Sequence, residues 1–347
     1  MKATPRVLIA DQRHRRGLRV LSLVLVCLAG GAQAIRGLQS VPASASPAAA
    51  GSPAQSSTQA DEETAYVCPM HPDYTSDIAG VCPRCLMALV LASPYDTREY
   101  DLQVRTQPPV VRAQQPFTLI TRIFHPGTHD PVTRFEPVHE RRYHLFVISQ
   151  DMTSFQHIHP EEQADGRWSI RVTLPKPGYY QLLSDFLPSL GSSQFIARRL
   201  VTAGYTGDLM SDRARLVPDT KATQTDKDIT ATVAYDPPTF VAGLYGHLRF
   251  TLTDSASGRP LTDLQTYLGA FGHTLIMSED MREYVHSHPI DLLPPNVNLE
   301  TIRGGPTVTF EGMMPKPGRY RAWTQFRHND IVHTIVSTFE VKDPASP

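Results

Sequence analysis

The stretch HLFVISQDMTSFQHIHP, residues 144–160, occurs a second time in this chain as HTLIMSEDMREYVHSHP, residues 273–289. The two copies align without a gap at an offset of 129 positions, and seven of the seventeen residues are identical. A further match pairs LPKPGYYQLLSDF, residues 174–186, with MPKPGRYRAWTQF, residues 314–326, at an offset of 140. The second copy therefore carries an eleven-residue insertion, most simply in the loop 290–306. The pattern predicts a tandem duplication of one domain of about 100 residues.

Each copy is built from short β-type runs such as FTLITRIF (117–124), separated by Pro, Gly, Asp and Asn. The 30 prolines favour a β-rich protein with tight connections, because proline breaks helix interiors. Pro-Lys-Pro-Gly is followed in both copies by a tyrosine, Tyr180 or Tyr320. This resembles the tyrosine corner of immunoglobulin-like domains, although an ordinary Pro-Gly turn before a strand gives the same pattern. We predict two tandem immunoglobulin-like antiparallel β-sandwiches.

The N-terminal segment has the pattern of an export signal. Five arginines precede an apolar run at 20–29, which ends in small residues with Ala32-Gln33-Ala34 as a cleavage pattern. A run of about ten residues is short for a membrane span, so we expect a cleaved signal peptide, with an uncleaved membrane anchor as the alternative. The expected location is periplasmic or secreted, with membrane attachment only if the segment stays uncleaved.

The net charge gives no support for nucleic-acid binding, and the cysteine count favours metal binding or a free thiol. The 33 Lys and Arg nearly cancel the 34 Asp and Glu, so no basic excess points to nucleic acid. Residues 35–63 are rich in Ala, Ser, Pro and Gln and are predicted to be a disordered linker. After signal cleavage three cysteines remain, Cys68, Cys82 and Cys85. An odd number in an exported protein indicates metal ligation or a free thiol.

Two short motifs near these cysteines have the spacing of metal-ligand pairs. Cys68-Pro-Met-His71 and Cys82-Pro-Arg-Cys85 are separated by ten residues. Each pair can form a tight turn that places two ligands on one ion, and two pairs supply the four ligands that tetrahedral zinc prefers. Because such a short segment has too small a core to fold alone, a metal would supply the missing stability. We predict a small metal ribbon at 64–92.

The ribbon sequence CPMHP…CPRCLM resembles the heavy-metal-binding domain family, usually written CPMHP…CPxCGM. The resemblance implies a heavy-metal ion, zinc or copper, held by Cys68, His71, Cys82 and Cys85. Met70 and Met87 stand at the family's methionine positions, where thioethers suit Cu(I) or Ag(I). Leu86 replaces the family's usual glycine, which makes the second turn less ideal and soft-metal exchange less certain.

The repeated histidines are a second candidate for metal binding. Residues two apart on a strand project to the same face, so each His-x-His motif can converge on one ion. The histidine that opens the preceding strand joins the pair only if the register places it on the same face. Three imidazoles, with Asp151 or Asp280, would suit Cu(II) or Zn(II). The candidate ligands are His144, His157 and His159 in the first copy and His273, His286 and His288 in the second.

An alternative explanation is that these histidines are structural and were inherited with the fold. The remaining histidines have no counterpart in the other copy and are interpreted as surface or core residues: His125, His129, His139, His247, His328 and His333. The region 100–341 as a whole also resembles duplicated immunoglobulin-like domains that follow heavy-metal-binding modules in bacterial envelope proteins, a resemblance that carries no assured ligands.

The predicted domain boundaries are a signal peptide at 1–34, a linker at 35–63, the ribbon at 64–92, β-sandwiches at 98–204 and 228–343, and a linker at 205–227. The favoured function is an exported heavy-metal-binding protein for copper or zinc sequestration or delivery in the cell envelope, with metal ions as ligands and an envelope metal-transport protein as a candidate partner. A structural zinc ribbon on a protein-interaction scaffold is the alternative. A metal-dependent enzyme ranks last, because no nucleophile with a base stands out, and we expect no enzyme.

Overall fold

The computed structural model describes residues 64–345 except 70, 86, 209, 291, 292 and 294–296. The predicted signal peptide and first linker, together with Met70 and Leu86, lie outside the described residues. The part of the chain that is described contains strands and turns and no helix, which confirms the predicted all-β class. Within it, no helix of the length and apolar character needed to cross a membrane is found.

The ribbon is a three-stranded antiparallel sheet in the order β2-β1-β3. Its strands are β1 Ala65–Val67, β2 Thr75–Ser76 and β3 Val90–Ala92. Its buried apolar cluster consists of Cys68, Cys82 and Leu89, with two half-buried tyrosines and Cys85 packed against it. A core of this size contributes little hydrophobic stabilisation, which is the physical reason to expect a metal in the ribbon.

The first sandwich consists of two antiparallel sheets, β4-β5-β10-β9 and β12-β11-β7-β8, with β6 paired to β11. Its strands are β4 Asp101–Gln107, β5 Pro116–Phe124, β6 Phe135–Glu136, β7 His144–Ser149, β8 Phe155–Ile158, β9 Glu161–Glu162, β10 Trp168–Thr173, β11 Tyr179–Pro188 and β12 Gln194–Val201. Alternate residues of β5 point into the space between the sheets, as expected for a sandwich strand with one solvated face. The run 117–124, predicted to be a strand, thus forms most of β5.

The second sandwich has the sheets β13-β14-β16-β19 and β15-β21-β20-β17-β18. Its strands are β13 Thr223–Asp226, β14 Ile229–Asp236, β15 Phe240–Val241, β16 Tyr245–Asp254, β17 His273–Ser278, β18 Tyr284–Ser287, β19 Thr307–Met313, β20 Gly318–His328 and β21 Ile331–Lys342. The order β14-β16-β19 matches β4-β5-β10, and β21-β20-β17-β18 matches β12-β11-β7-β8. The two copies thus share one strand order.

The segment between the sandwiches is more structured than the predicted linker at 205–227. Edge strand β13 lies within this segment. The residues of β13 are polar, so they show no alternation of apolar residues from which a strand could be predicted. Two apolar side chains of the segment, Ala214 and Leu216, are buried. They are held by hydrogen bonds from Ala214 N to Gln150 O and from Leu216 N to a carboxylate oxygen of Glu279.

Both tyrosines after the Pro-Lys-Pro-Gly turns have the geometry of a tyrosine corner. The hydroxyl of Tyr180 donates to the backbone oxygen of Lys176, and that of Tyr320 donates to the backbone oxygen of Lys316, both at 2.8 Å. Each bond ties the turn that opens a strand back to the chain four residues upstream. The tyrosine-corner interpretation of the sequence is therefore the one that the structure supports.

We expect Tyr320→Phe to lower the free energy of unfolding by about 1 kcal/mol, because it removes one partly buried hydrogen bond while the ring stays in place. Tyr180→Phe should have the same effect in the first sandwich. Denaturant unfolding measures both. Tyr95→Phe is the control, since that side chain is 67% exposed. Equal stability of Tyr320→Phe and the control would contradict a stabilising corner.

The strands β7 and β17 are buried along their whole length. On β7, Leu145 and Val147 face the core of the first sandwich, while Phe146 and Ile148 belong to a different apolar cluster. That cluster lies between the sandwiches, and we term this interface the junction. Its buried members are Phe146, Ile148, Met152, Leu183, Ala214, Leu216, Leu275, Met277 and Trp323. Each repeat thus covers the outer face of the equivalent strand in the other repeat, β7 in the first and β17 in the second.

Candidate metal centres

The ribbon brings its four predicted ligands together. One ligand atom from each of Cys68, His71, Cys82 and Cys85 lies within 4.8 Å of the others. The Cys68 sulfur is 3.4 Å from the Cys85 sulfur, and the His71 Nδ1 is 3.7 Å from the Cys68 sulfur and 3.6 Å from the Cys82 sulfur. Ligand atoms on a tetrahedral zinc ion are separated by roughly 3.3 to 3.8 Å. The ribbon therefore has the spacing of a Cys3His metal site.

The turns hold these ligands in the way the paired spacing predicts. The backbone N–H of His71 donates to the Cys68 sulfur at 3.3 Å, and that of Cys82 donates to Met87 O at 2.9 Å. The hydrogen bond with Cys68, together with burial, raises the pKa of the Cys85 thiol above its ordinary value. A metal ion would displace that proton, because the thiolate is the ligand form of cysteine.

A second group of candidate ligands lies at the junction, and we term it the junction histidines. It comprises His139, His144, His157, His159, His273, His286 and His288. His144 shares a strand face with Phe146, and Phe146 pairs with His157 on β8. In the second copy His273 shares a face with Leu275, which pairs with His286 on β18. The equal register in both hairpins places all the repeated histidines on the junction side.

The junction histidines form two groups with metal-ligand spacing. His144, His157 and His159 have nitrogens within 4.8 Å of one another, and so do His139, His273 and His288. The first group comes from one repeat, as the sequence predicts. The second group differs from the predicted set, because His139 of the first repeat takes the place expected for His286. The ring of His286 lies between the groups, with its centroid 5.5 Å from that of His144 and 4.6 Å from that of His288.

His139 is the residue that comparison of the repeats missed. It occupies a tight turn before β7, closed by a bridge between Val138 and Arg141, and its φ is 49°. The matching turn before β17 carries Leu268 with a φ of 54°. Because the counterpart is leucine, a search for repeated histidines discards His139. Its ring stacks on His288 with a centroid distance of 3.3 Å. His139, which comparison of the repeats left as a surface or core residue, therefore stands among the candidate metal ligands.

Four junction histidines have one ring nitrogen fixed by a hydrogen-bond acceptor. His144 Nε2 donates to Val138 O at 2.9 Å, and His273 Nε2 donates to Tyr267 O at 2.8 Å. His157 Nδ1 lies 2.9 Å from Gln325 Oε1, and His286 Nδ1 lies 2.7 Å from Asp185 Oδ2. Asp185 and Gln325 are equivalent positions in the two repeats, so each repeat orients a histidine of the other. Metal-bound histidines typically have such an acceptor on the nitrogen opposite the metal.

Six other ring nitrogens of the junction histidines are buried without a hydrogen-bond partner in the protein. They are His139 Nε2, His159 Nε2, His273 Nδ1, His286 Nε2, His288 Nδ1 and His288 Nε2. An unpaired buried polar group costs about 1 to 3 kcal/mol. Six such atoms at one place cost on the order of 10 kcal/mol, which is comparable to the whole stability of a domain. A bound ion would offset this cost.

Burial favours the uncharged form of six junction histidines. It lowers the pKa of His144 to about 4 and that of His159 to about 3, with repulsion from neighbouring imidazoles adding to both. The pKa values of His139, His157, His273 and His288 also lie well below the ordinary value, first through burial and then through neighbouring rings. Neutral imidazole is the form that binds metal ions.

Two comparisons with family models identify the modules. The family described as "Domain of unknown function (DUF8832)" matches residues 96–202 and 223–343, together more than half of the chain. The chain belongs to the DUF8832 family. The model described as "Heavy metal binding domain" matches residues 65–91, which include all four ribbon ligands. The two DUF8832 segments correspond to the two sandwiches, so the junction histidines of both groups lie within this family's part of the chain.

Solved structures of two bacterial proteins are among those that resemble the chain. The adhesin FdeC of Escherichia coli is 12% identical, with 71% of this chain and 66% of that chain covered and a TM-score of 0.22. InvD of Yersinia pseudotuberculosis is 15% identical, with 71% and 60% covered and a TM-score of 0.22. The DUF8832 chain thus spans less than two thirds of either structure. No curated protein matches the chain.

The aspartates considered as additional ligands have other roles in this DUF8832 chain. Asp151 Oδ1 accepts from the Ser149 hydroxyl at 2.6 Å, and the second carboxylate oxygen pairs with Lys176. Asp280 Oδ1 accepts from the Ser278 hydroxyl at 2.6 Å. Both residues stabilise the hairpin turns that connect the histidine-bearing strands, because a short side chain there can bond to nearby turn groups. The expectation that Asp151 or Asp280 joins the histidines is therefore wrong.

The ribbon lies beside the junction. A cavity of about 380 Å³ is lined by His71 of the ribbon and by His286 and His288 of the second sandwich. His71 is also close enough to His139 to contribute a small lowering of its pKa, after burial and the junction rings. The two candidate metal centres of the DUF8832 chain are thus neighbours.

Proposed function

We propose that this chain is an exported protein that binds heavy metal, with copper in the Cu(I) state as the favoured ion, and holds it for sequestration or delivery in the cell envelope. The observation that carries the proposal is the Cys3His cluster, whose four ligand atoms lie within 4.8 Å of one another in a heavy-metal-binding domain. Thiolate ligands select soft ions such as Cu(I), and Met87 stands at a thioether position of the motif. Export is supported by the pattern of residues 1–34.

Binding rather than catalysis is the activity that we propose, with an envelope metal-transport protein as the recipient. A second candidate is a structural zinc ribbon on a protein-interaction scaffold. The small buried core of the ribbon favours it, because a segment with so few apolar contacts needs a metal simply to fold.

Metal exchange separates these two functions. The protein purified with one equivalent of zinc in the ribbon is challenged with Cu(I) buffered by a chelator, and zinc release is followed. Delivery predicts that Cu(I) displaces the zinc stoichiometrically and can be withdrawn again by a competing Cu(I) chelator. Zinc that stays bound throughout the Cu(I) challenge would support the structural function and contradict the delivery function.

A further inference from the structure

We propose that the junction holds a second, histidine-only metal centre of two ions, in which one ion bridges the two repeats. The first ion position is formed by His144, His157 and His159, and the second by His139 of the first repeat with His273 and His288 of the second. The ligands of this centre share no residue with the ribbon site. The proposal therefore stands whether or not the proposed function of the ribbon is correct.

The first position is indicated by two lone pairs that face each other. His144 Nε2 must carry a proton, because its partner Val138 O can only accept, and a neutral ring then leaves Nδ1 bare. Gln325 Nε2 donates to the Thr334 hydroxyl, so its oxygen Oε1 faces His157 Nδ1 and accepts from it. His157 Nε2 is then bare as well. These two bare nitrogens are 3.1 Å apart.

Two acceptors at this distance repel each other unless a cation lies between or beside them. Imidazole nitrogens that share a tetrahedral ion at about 2 Å each are separated by roughly 3.3 Å. The observed 3.1 Å is close to that value. His159 completes the group, since its Nε2 is buried without a partner and its ring centroid lies 5.0 Å from that of His144. The arrangement is thus a three-nitrogen site with one position left for a further ligand.

The second position is indicated by the same logic across the junction. His273 Nε2 donates to Tyr267 O, which leaves a bare Nδ1 that is buried and unpaired. His139 Nε2 and both nitrogens of His288 are also buried without partners. His139 reaches these rings from the other repeat, with centroid distances of 5.3 Å to His273 and 3.3 Å to His288. An ion here would connect the two sandwiches directly.

His286 is placed to serve as a further ligand. Its Nδ1 is held by Asp185 at 2.7 Å, and its Nε2 is buried, unpaired and located among the other rings. The carboxylate of Asp185 makes the His286 ring a stronger electron-pair donor to a metal ion, as in the carboxylate–histidine–metal arrangement. The donor set contains nitrogen only, which fits divalent transition-metal ions such as Zn(II), Co(II) and Cu(II), and neither Mg(II) nor Ca(II).

The test uses the mature full chain with Cys82→Ser and Cys85→Ser, which removes the thiolates of the ribbon. We expect this variant to bind two equivalents of Zn(II) by titration and native mass spectrometry. X-ray absorption on the Co(II)-loaded variant should show nitrogen or oxygen ligands with imidazole scattering and no sulfur. Binding of no more Zn(II) than the same variant with His157→Gln and His273→Gln added would overturn the proposal.

His139→Leu on this background tests the bridge between the repeats. Leucine already occupies the equivalent turn as Leu268 at a similar φ, so the fold should be kept, as measured by the unfolding transition in chelator. We expect the loss of one of the two equivalents. His129→Asn, at an exposed histidine outside the junction, should keep both. Retention of two equivalents by His139→Leu would contradict a bridging ion.

If the unmodified chain binds no more metal than the Cys82→Ser, Cys85→Ser variant, the ribbon function fails and the junction centre stands.

Discussion

Replacing Cys82 and Cys85 with serine is expected to abolish metal binding by the ribbon and to unfold residues 64–92 while both sandwiches stay folded. The buried apolar cluster of the ribbon consists of Cys68, Cys82 and Leu89, two of which are candidate metal ligands. Metal binding contributes about 10 to 16 kcal/mol in small zinc domains, so its loss leaves the ribbon without a compensating source of stability. The sandwiches have large apolar cores of their own and do not depend on the thiolates.

Two measurements on the full chain check this prediction. The thiolate-to-metal charge-transfer band of the Co(II) complex reports on the ribbon alone, because a histidine-only centre has no such band. Amide hydrogen exchange shows whether residues 64–92 lose protection while the sandwiches keep it. Asp73→Asn is the matched control, since it removes an exposed ion pair with Arg84 and no ligand. A Cys82→Ser, Cys85→Ser chain that retains the charge-transfer band would contradict the assigned ligands.

The sequence was sufficient to predict the ribbon, the duplication and the common face of each His-x-His pair, because all three depend on local spacing. Ligand pairs at knuckle spacing define their own geometry, and alternation along a strand fixes the side of each residue. The register of the two hairpins, which the sequence left open, follows from the pairs Phe146–His157 and Leu275–His286. Those pairs place His144 and His273, the first residues of β7 and β17, on the same face as the His-x-His motif of their repeat.

The contact between the repeats could not be predicted in the same way, since it depends on long-range packing. One indication was present in HLFVIS, where Phe146 and Ile148 are apolar on the face opposite to Leu145 and Val147. A strand that is apolar on both faces is typical of a sheet covered on both sides. His139 gave no such indication, because its counterpart is Leu268 and only the packed structure brings it to the second repeat.

Acidification of the metal-free chain is expected to open the junction or unfold the protein between pH 7 and pH 4. The folded-state pKa of His144 is about 4 because the ring is buried, whereas an unfolded histidine titrates near about 6.5. The unfolded state therefore binds more protons in this window, and stability falls as the pH decreases below about 6.5. At pH 5 the loss is about 2 kcal/mol for His144 alone.

The pKa values of the other buried rings are lowered as well, so each of these rings also makes the folded state less stable as the pH falls. His139, His157, His273 and His288 have lowered pKa values, first through burial. Their losses add to that of His144, because each of these rings is more easily protonated in the unfolded state. The charged groups near these rings act in opposite senses, since Asp185 raises the pKa of His144 and Arg141 lowers it. The net effect is set by burial, the largest cause in each case.

Denaturant unfolding in the presence of a chelator at pH 7.5, 6 and 5 measures this loss. His139→Leu removes one titrating ring at a turn that tolerates leucine, so its stability should fall less steeply with acidification than that of the unmodified chain. His129→Asn, outside the junction, should leave the slope unchanged. A metal-free chain that is equally stable at pH 7.5 and pH 5 would show that the junction histidines are not buried as neutral rings, because only neutral burial makes the folded state resist protonation.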